Sequence, residues 1–136
     1  MFRQTRVLIV EDNPVNFMIM RNQVRKHGIE PSLCTNGQEA VDYCRANPMP
    51  ELILLDGYMP QMDGIQFLRW LRAQPNGAIP YVLFCSSSID VVDVAEAMRL
   101  GADKHHPKPI AADDLAAALM QASMRAATQA KARTQS

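Results

Sequence analysis

The chain is predicted to be an α/β protein built on one open, doubly wound sheet of five parallel strands, flavodoxin-like in architecture, and three observations carry that expectation. Short apolar runs recur: Val7-Leu8-Ile9-Val10, then Leu52-Ile53-Leu54-Leu55, then Tyr81-Val82-Leu83-Phe84-Cys85. Continuous rather than alternating hydrophobicity marks strands covered on both faces, as in a parallel sheet sandwiched by helices. Helix start and stop signals fill the intervals between the runs. The strand-helix unit repeats five times at roughly 25 residues each, which nearly fills the 136-residue chain.

Two weaker strand candidates complete the set, Pro31 to Thr35 and Asp103 to His106. Asn13-Pro14 predicts an N-cap followed by proline at the first helical position, and Gly28 stands where that helix would stop. Asn36-Gly37-Gln38-Glu39 has capping-box spacing ahead of Ala40, Val41 and Cys44. Gly64 to Ala73, Ile89 to Leu100 with Gly101 behind it, and Ala111 onward supply three more helices. The last shows Leu115, Ala118, Leu119 and Ala122 on one face. Trp70, Phe67, Met18 and Met20 are read as helix-face packing.

Composition narrows the function classes. Fourteen basic and fourteen acidic side chains cancel, so no whole-surface field favours nucleic acid or an anionic membrane. The three cysteines, Cys34, Cys44 and Cys85, lack the close pairing of metal knuckles or redox motifs and are expected to be reduced thiols. The apolar run behind the basic N-terminus is four residues long, too short for a signal peptide. No apolar run approaches the roughly 18 residues of a membrane span, and the expected location is the cytoplasm.

In open α/β sheets ligands bind at the carboxyl ends of the strands, near the point where strand order reverses. The residues there are Glu11-Asp12 after the first run, Asp56 after the third, Ser86-Ser87-Ser88 after the fourth and Lys108-Pro109 after the fifth. Three converging carboxylates would repel one another without a cation, and hard oxygen ligands suit Mg²⁺ or Mn²⁺. Taken singly, an acidic pair at a strand end is an ordinary turn or cap. Their joint occurrence at successive strand ends gives them functional weight.

These residues resemble the receiver, or CheY-like response-regulator, domain of bacterial two-component signalling. The resemblance rests on Val10-Glu11-Asp12-Asn13, on Asp56-Gly57-Tyr58-Met59-Pro60-Gln61-Met62-Asp63-Gly64, on Ser86, and on Gly101-Ala102-Asp103 through Lys108-Pro109. It runs from about Arg6 to about Ala122. Two phosphate-handling alternatives fit less well. A flavodoxin needs a hydroxyl- and glycine-rich loop where this chain has two acids. A haloacid-dehalogenase-type phosphatase wants a second aspartate two residues after the nucleophile, where Tyr58 stands.

The resemblance implies roles. Asp56 would accept a phosphoryl group from a phosphohistidine on a sensor histidine kinase or histidine phosphotransfer protein. Mg²⁺ would be held by Glu11, Asp12, Asp56 and the backbone carbonyl of Tyr58. Lys108 would pair with the carboxylate and then with a phosphoryl oxygen. Ser86 lies thirty residues after Asp56 and twenty-two before Lys108, the usual spacing for the hydroxyl residue, with Ser87 as the alternative. His105 falls where receivers usually carry an aromatic switch that swings inward and remodels the face of the fourth helix, fifth strand and fifth helix. Its alternative is an exposed edge-strand histidine, with His106 and Lys104 pointing the other way. Pro107 is expected to end the fifth strand.

The receiver is assigned to residues 1–123 and a basic, alanine-rich helix extension or tail to 124–136. After Asp114 the chain has no acid, while Arg125, Lys131 and Arg133 follow. These either complement the helix C-terminus or form a weak anion contact. The chain is therefore expected to be a stand-alone, non-enzymatic response regulator that acts on a downstream protein and contacts neither DNA nor membrane. A module from a larger hybrid kinase or output protein, and a non-phosphorylated scaffold, are the alternatives.

Overall fold

The computed structural model describes residues 5–57, 63–86 and 91–135, the side chains of 91, 92 and 130–135 excepted. Strands and helices alternate strictly: β1 Val7–Val10, α1 Pro14–Arg25, β2 Ser32–Cys34, α2 Gly37–Ala46, β3 Leu52–Asp56, α3 Gly64–Arg72, β4 Tyr81–Ser86, α4 Val91–Arg99, β5 Lys104–Pro107 and α5 Ala112–Gln135. All pairings are parallel, in the order β2-β1-β3-β4-β5. The expected five-stranded, doubly wound sheet is therefore present. Strand order reverses between β1 and β3.

The apolar strand runs work by alternation. Leu8, Val10, Ile53, Leu55, Val82 and Phe84 face a cluster with Val41, Cys44, Phe67, Leu68, Leu71 and Ala97 of α2, α3 and α4. Val7, Ile9, Leu52, Leu54, Leu83 and Cys85 face the other side, against Met20, Val24, Leu115, Leu119 and Ala122 of α1 and α5. Trp70 packs half-buried beside Phe67, their rings 6.0 Å apart. Met18 departs from expectation and is 50% exposed. Two residues along a helix is a rotation of about 200°, so the turn that buries Met20 sends Met18 outward. Cys34, Cys44 and Cys85 are buried free thiols, and burial pushes Cys85 up to about 12.

Helix starts follow the sequence closely. Asn13 Oδ1 accepts from the amides of Val15 and Asn16, and Pro14 occupies the first turn. Asn36 accepts from Glu39 N, while the Glu39 carboxylate takes the Thr35 amide and hydroxyl. Asp63 and Gln66 form a reciprocal capping box at α3. Gly28 and Gly101 both take positive φ, at 79° and 107°, and end the turns after α1 and α4. The start expected for α4 at Ile89 lies outside the described residues.

β5 begins at Lys104 rather than Asp103 and ends at Pro107. The Asp103 carboxylate instead accepts from Val82 N at 2.8 Å and from two arginines, Arg72 Nη2 at 3.1 Å and Arg125 Nη2 at 2.6 Å. Both guanidinium groups also donate to the Pro80 carbonyl, and Arg125 lies 5.1 Å over the Tyr81 ring. This corrects the reading of Arg125 as part of an anion contact. Its charge is spent on Asp103, tying α5 to the amino end of the sheet. The side chains of Lys131 and Arg133 lie outside those described. α5 runs unbroken across residues 123 and 124. Among the described residues no helix is long and apolar enough to cross a membrane.

Candidate functional site

The carboxyl edge of the sheet gathers the residues singled out in the sequence. Each is set by one more hydrogen bond past its strand: Glu11 N donates to Cys34 O at 2.9 Å, Gly57 N to Cys85 O at 3.2 Å, and Lys108 N to Ser86 O at 2.9 Å. The backbone carrying each group is therefore fixed by the ladder rather than by a loop. Because β1 and β3 are neighbours, Glu11 and Asp56 come side by side. Asp12 stands on the turn into α1, exposed, and the capping of that helix is done by Asn13. Both acids are thus available for other work.

Glu11 and Asp56 are almost wholly buried, at 1% and 4% exposure. Lys108 Nζ stands between them, 2.9 Å from each oxygen of Glu11 and 3.0 Å from Asp56 Oδ1. Burial works against the Lys108 ammonium, but the two carboxylates outweigh it and its pKa is raised. Burial first, and then the hydrogen bond and charge of Glu11, push Asp56 up to about 6, although Lys108 pulls it down. One ammonium does not neutralise two buried carboxylates and a third at their rim.

Oxygens of Glu11, Asp12 and Asp56 lie within 4.8 Å of one another. Three carboxylates with one oxygen each, one of them open to water, form the hard, incomplete ligand set that suits Mg²⁺ or Mn²⁺. The carbonyl of Tyr58, expected as a further ligand, lies outside the described residues, as do Ser87 and Ser88. Ser86 ends β4, buried, with Oγ 3.1 Å from Nε2 of His105. The His105 ring lies over Phe84, its cross-strand partner, at 6.0 Å between centroids. His106 turns the other way, with Nδ1 3.5 Å from Asp114.

Two features escaped the sequence reading. Lys108 engages Glu11 through both oxygens as well as Asp56; that Glu11 reaches one methylene further than an aspartate was the available signal. Gly64 is the other. A Cβ there would lie 2.3 Å from the Asp56 carbonyl oxygen, so glycine lets the start of α3 press onto the backbone of Asp56.

A carboxylate-lysine cluster beside a buried hydroxyl, at the switch point of a 2-1-3-4-5 parallel sheet, defines the receiver class of signalling domains. The family model of the response regulator receiver domain matches residues 7–120, and the chain belongs to this family. It is 34% identical over 104 residues to the transcriptional regulatory protein BaeR of Escherichia coli, covering 76% of this chain and 42% of BaeR. It is 35% identical over 103 residues to the two-component response regulator ORR42 of rice, covering 76% of each. The crystal structure of the receiver domain of sensor histidine kinase PA1611 from Pseudomonas aeruginosa superposes with a TM-score of 0.78 at 27% identity, covering 86% of this chain and 95% of that one. That structure holds a magnesium ion in its active-site cleft. The chain spans about half the length of most of the curated relatives it matches.

Proposed function

We propose that Asp56 accepts a phosphoryl group from a phosphohistidine of a sensor histidine kinase or histidine phosphotransfer protein, in a reaction that requires a divalent cation. The observation that carries this reading is Lys108 Nζ held at 2.9–3.0 Å from both Glu11 and Asp56 at the strand ends. A carboxylate oxygen of Asp56 attacks phosphorus, an acyl-phosphate bond forms, and the bond to the donor nitrogen breaks. Lys108, already beside the acceptor, exchanges a carboxylate oxygen for a phosphoryl oxygen. The Ser86 hydroxyl offers a second donor from the end of β4. Glu11, Asp12 and Asp56 would hold Mg²⁺, whose charge offsets that of the incoming dianion. The rest is positioning, since phosphoryl transfer asks little covalent help from the protein.

The chain acts in this reading as a phosphoacceptor that assists its own modification and not as a turnover enzyme. It signals through the face of α4, β5 and α5, which His105 joins to Ser86. A stand-alone cytoplasmic regulator and a module of a longer protein differ in what that face meets. Curated relatives of this chain's own length and of about twice that length both match, and the length of the natural reading frame decides between the two. MtrA, a relative of 32% identity, is a DNA-binding response regulator. Its match spans 47% of its length, and contact with DNA is not proposed for this chain.

Incubation with Mg²⁺ and acetyl phosphate, read by intact mass, should add about 80 Da, one HPO₃. Asp56→Asn should abolish the increment, and chelation or Asp12→Ala should slow its appearance. An increment that persists in Asp56→Asn moves the acceptor elsewhere.

A further inference from the structure

Ser86 and His105 share one hydrogen bond whose polarity matters. A hydroxyl has one proton to give, and Ser86 Oγ is 3.1 Å from His105 Nε2. If Ser86 donates to an unprotonated Nε2, its proton is turned away from Asp56. If Nε2–H donates to Oγ, the hydroxyl proton can turn to another acceptor. An aromatic carbon ring at this position has no such choice to make.

The ring is held where it can act. Phe84 and His105 are direct partners across β4 and β5, and Ser86, two residues beyond Phe84, presents its side chain on the same face. Phe84 supports the ring and Oγ meets its edge. His106, its chain neighbour, is turned to Asp114 of α5. Burial first, and then His106, hold the His105 pKa below its ordinary value, so the neutral ring makes the choice.

We propose that His105 is a positioning residue for Ser86: its Nε2–H donates to Oγ and thereby aims the Ser86 hydroxyl at an oxygen of the phosphoryl group on Asp56. The inference rests on the phosphoacceptor reading above. No bond is made or broken at His105, and the ring need not swing to do this. In the neutral ring, Nδ1 gives up a proton to solvent as Nε2 takes one, and the charge is unchanged.

The test uses the whole chain, labelled with ¹⁵N and loaded with Mg²⁺ and beryllofluoride, with intact native mass and ¹⁹F spectra reporting the adduct on Asp56. Long-range ¹H–¹⁵N spectra should show Nε2 of His105 protonated in the adduct. Ser86→Ala should return the ring to the tautomer mixture of a free imidazole. In phosphorylation by acetyl phosphate, His105→Phe should be about fivefold slower, the worth of one neutral hydrogen bond. His105→Gln, whose amide can donate from a similar point, should recover most of that loss. Adding His105→Phe to Ser86→Ala should cost nothing more, because the two act as one unit. An adduct with unprotonated Nε2, equal rates for Phe and Gln, or additive losses would overturn the positioning role while leaving Asp56 as acceptor. The absence of any adduct together with no mass increment would remove both.

Discussion

Lys108 holds Glu11 through both carboxylate oxygens, at 2.9 Å each, while Glu11 itself is 1% exposed. The same ammonium reaches Asp56 at 3.0 Å, so one cation serves two buried acids. Removing one member of a buried ion pair costs more than the pair is worth, because the remaining charge is left without water or a partner. Lys108→Ala should therefore lower stability at neutral pH by about 3 kcal/mol in chelator. Millimolar Mg²⁺ should restore part of it by supplying the missing positive charge. Urea unfolding with and without Mg²⁺ measures both, and an unchanged midpoint in chelator would show that the cluster is solvated.

Asp56 predicts a pH dependence of the opposite sign to an ordinary ion-paired carboxylate. Its pKa is pushed up to about 6, by burial and then by Glu11, from 3.8. Between those values the native state binds more protons than the unfolded state, so stability falls as pH rises and stays depressed above pH 6. The effect is at most about 3 kcal/mol on the scale of 1.36 kcal/mol per unit. Asp56→Asn should flatten this part of the profile and be more stable than wild type at pH 7 without divalent cation. Mg²⁺ should flatten the wild-type curve too. Urea titrations at pH 4 to 8 would show it.

How much of this was legible in the sequence follows from what each feature depends on. The buried strands and the caps at Asn13 and Asn36 rest on local signals, a continuous apolar run or a side chain two or three residues from the amide that donates to it. Convergence of Glu11, Asp56 and Lys108 follows from the strand-end rule once five strand-helix units are counted. Long-range choices are different. Arg125 could be read as tail charge because its partner Asp103 lies 22 residues away and across the sheet edge. Lys108 between two acids, and Nε2 rather than ring carbon facing Ser86, depend on side-chain rotation that no spacing encodes. Met18 was misplaced for a simpler reason: it lies two residues from Met20, about 200° round the helix, so the two do not share one buried face.

Gly64 should prove intolerant of even a methyl group. A Cβ would meet the Asp56 carbonyl oxygen at 2.3 Å, its carbon at 3.2 Å and the Gly57 Cα at 3.2 Å. All three are backbone atoms fixed by the β3 ladder, so α3 must move away or Asp56 must shift. Gly64→Ala should cost about 2 kcal/mol through this overpacking. The rate of phosphorylation by acetyl phosphate should fall as well, since the displaced backbone carries the acceptor. A stable variant with an unchanged rate would mean that α3 yields without disturbing the site.

Arg125 should separate stability from chemistry. Its guanidinium donates to both oxygens of Asp103, at 2.6 and 3.1 Å, and to the Pro80 carbonyl at 3.0 Å, joining α5 to the starts of β4 and β5. Those starts are the amino edge of the sheet, the far end from Asp56. Asp103 keeps Arg72 and the Val82 amide when Arg125 is removed, so its charge is not left bare. Arg125→Ala should thus cost about 2 kcal/mol, the range for charge-assisted hydrogen bonds, and not the larger penalty of an orphaned buried charge. Phosphorylation by acetyl phosphate should keep its wild-type rate, because nothing at the carboxyl edge depends on this contact. Arg125→Lys should recover little, since an ammonium cannot reproduce the paired donors that meet Asp103 and Pro80 together. Urea unfolding beside a phosphorylation time course tests both halves. A slowed reaction in a variant that remains folded would mean that α5 transmits strain from the amino edge to Lys108.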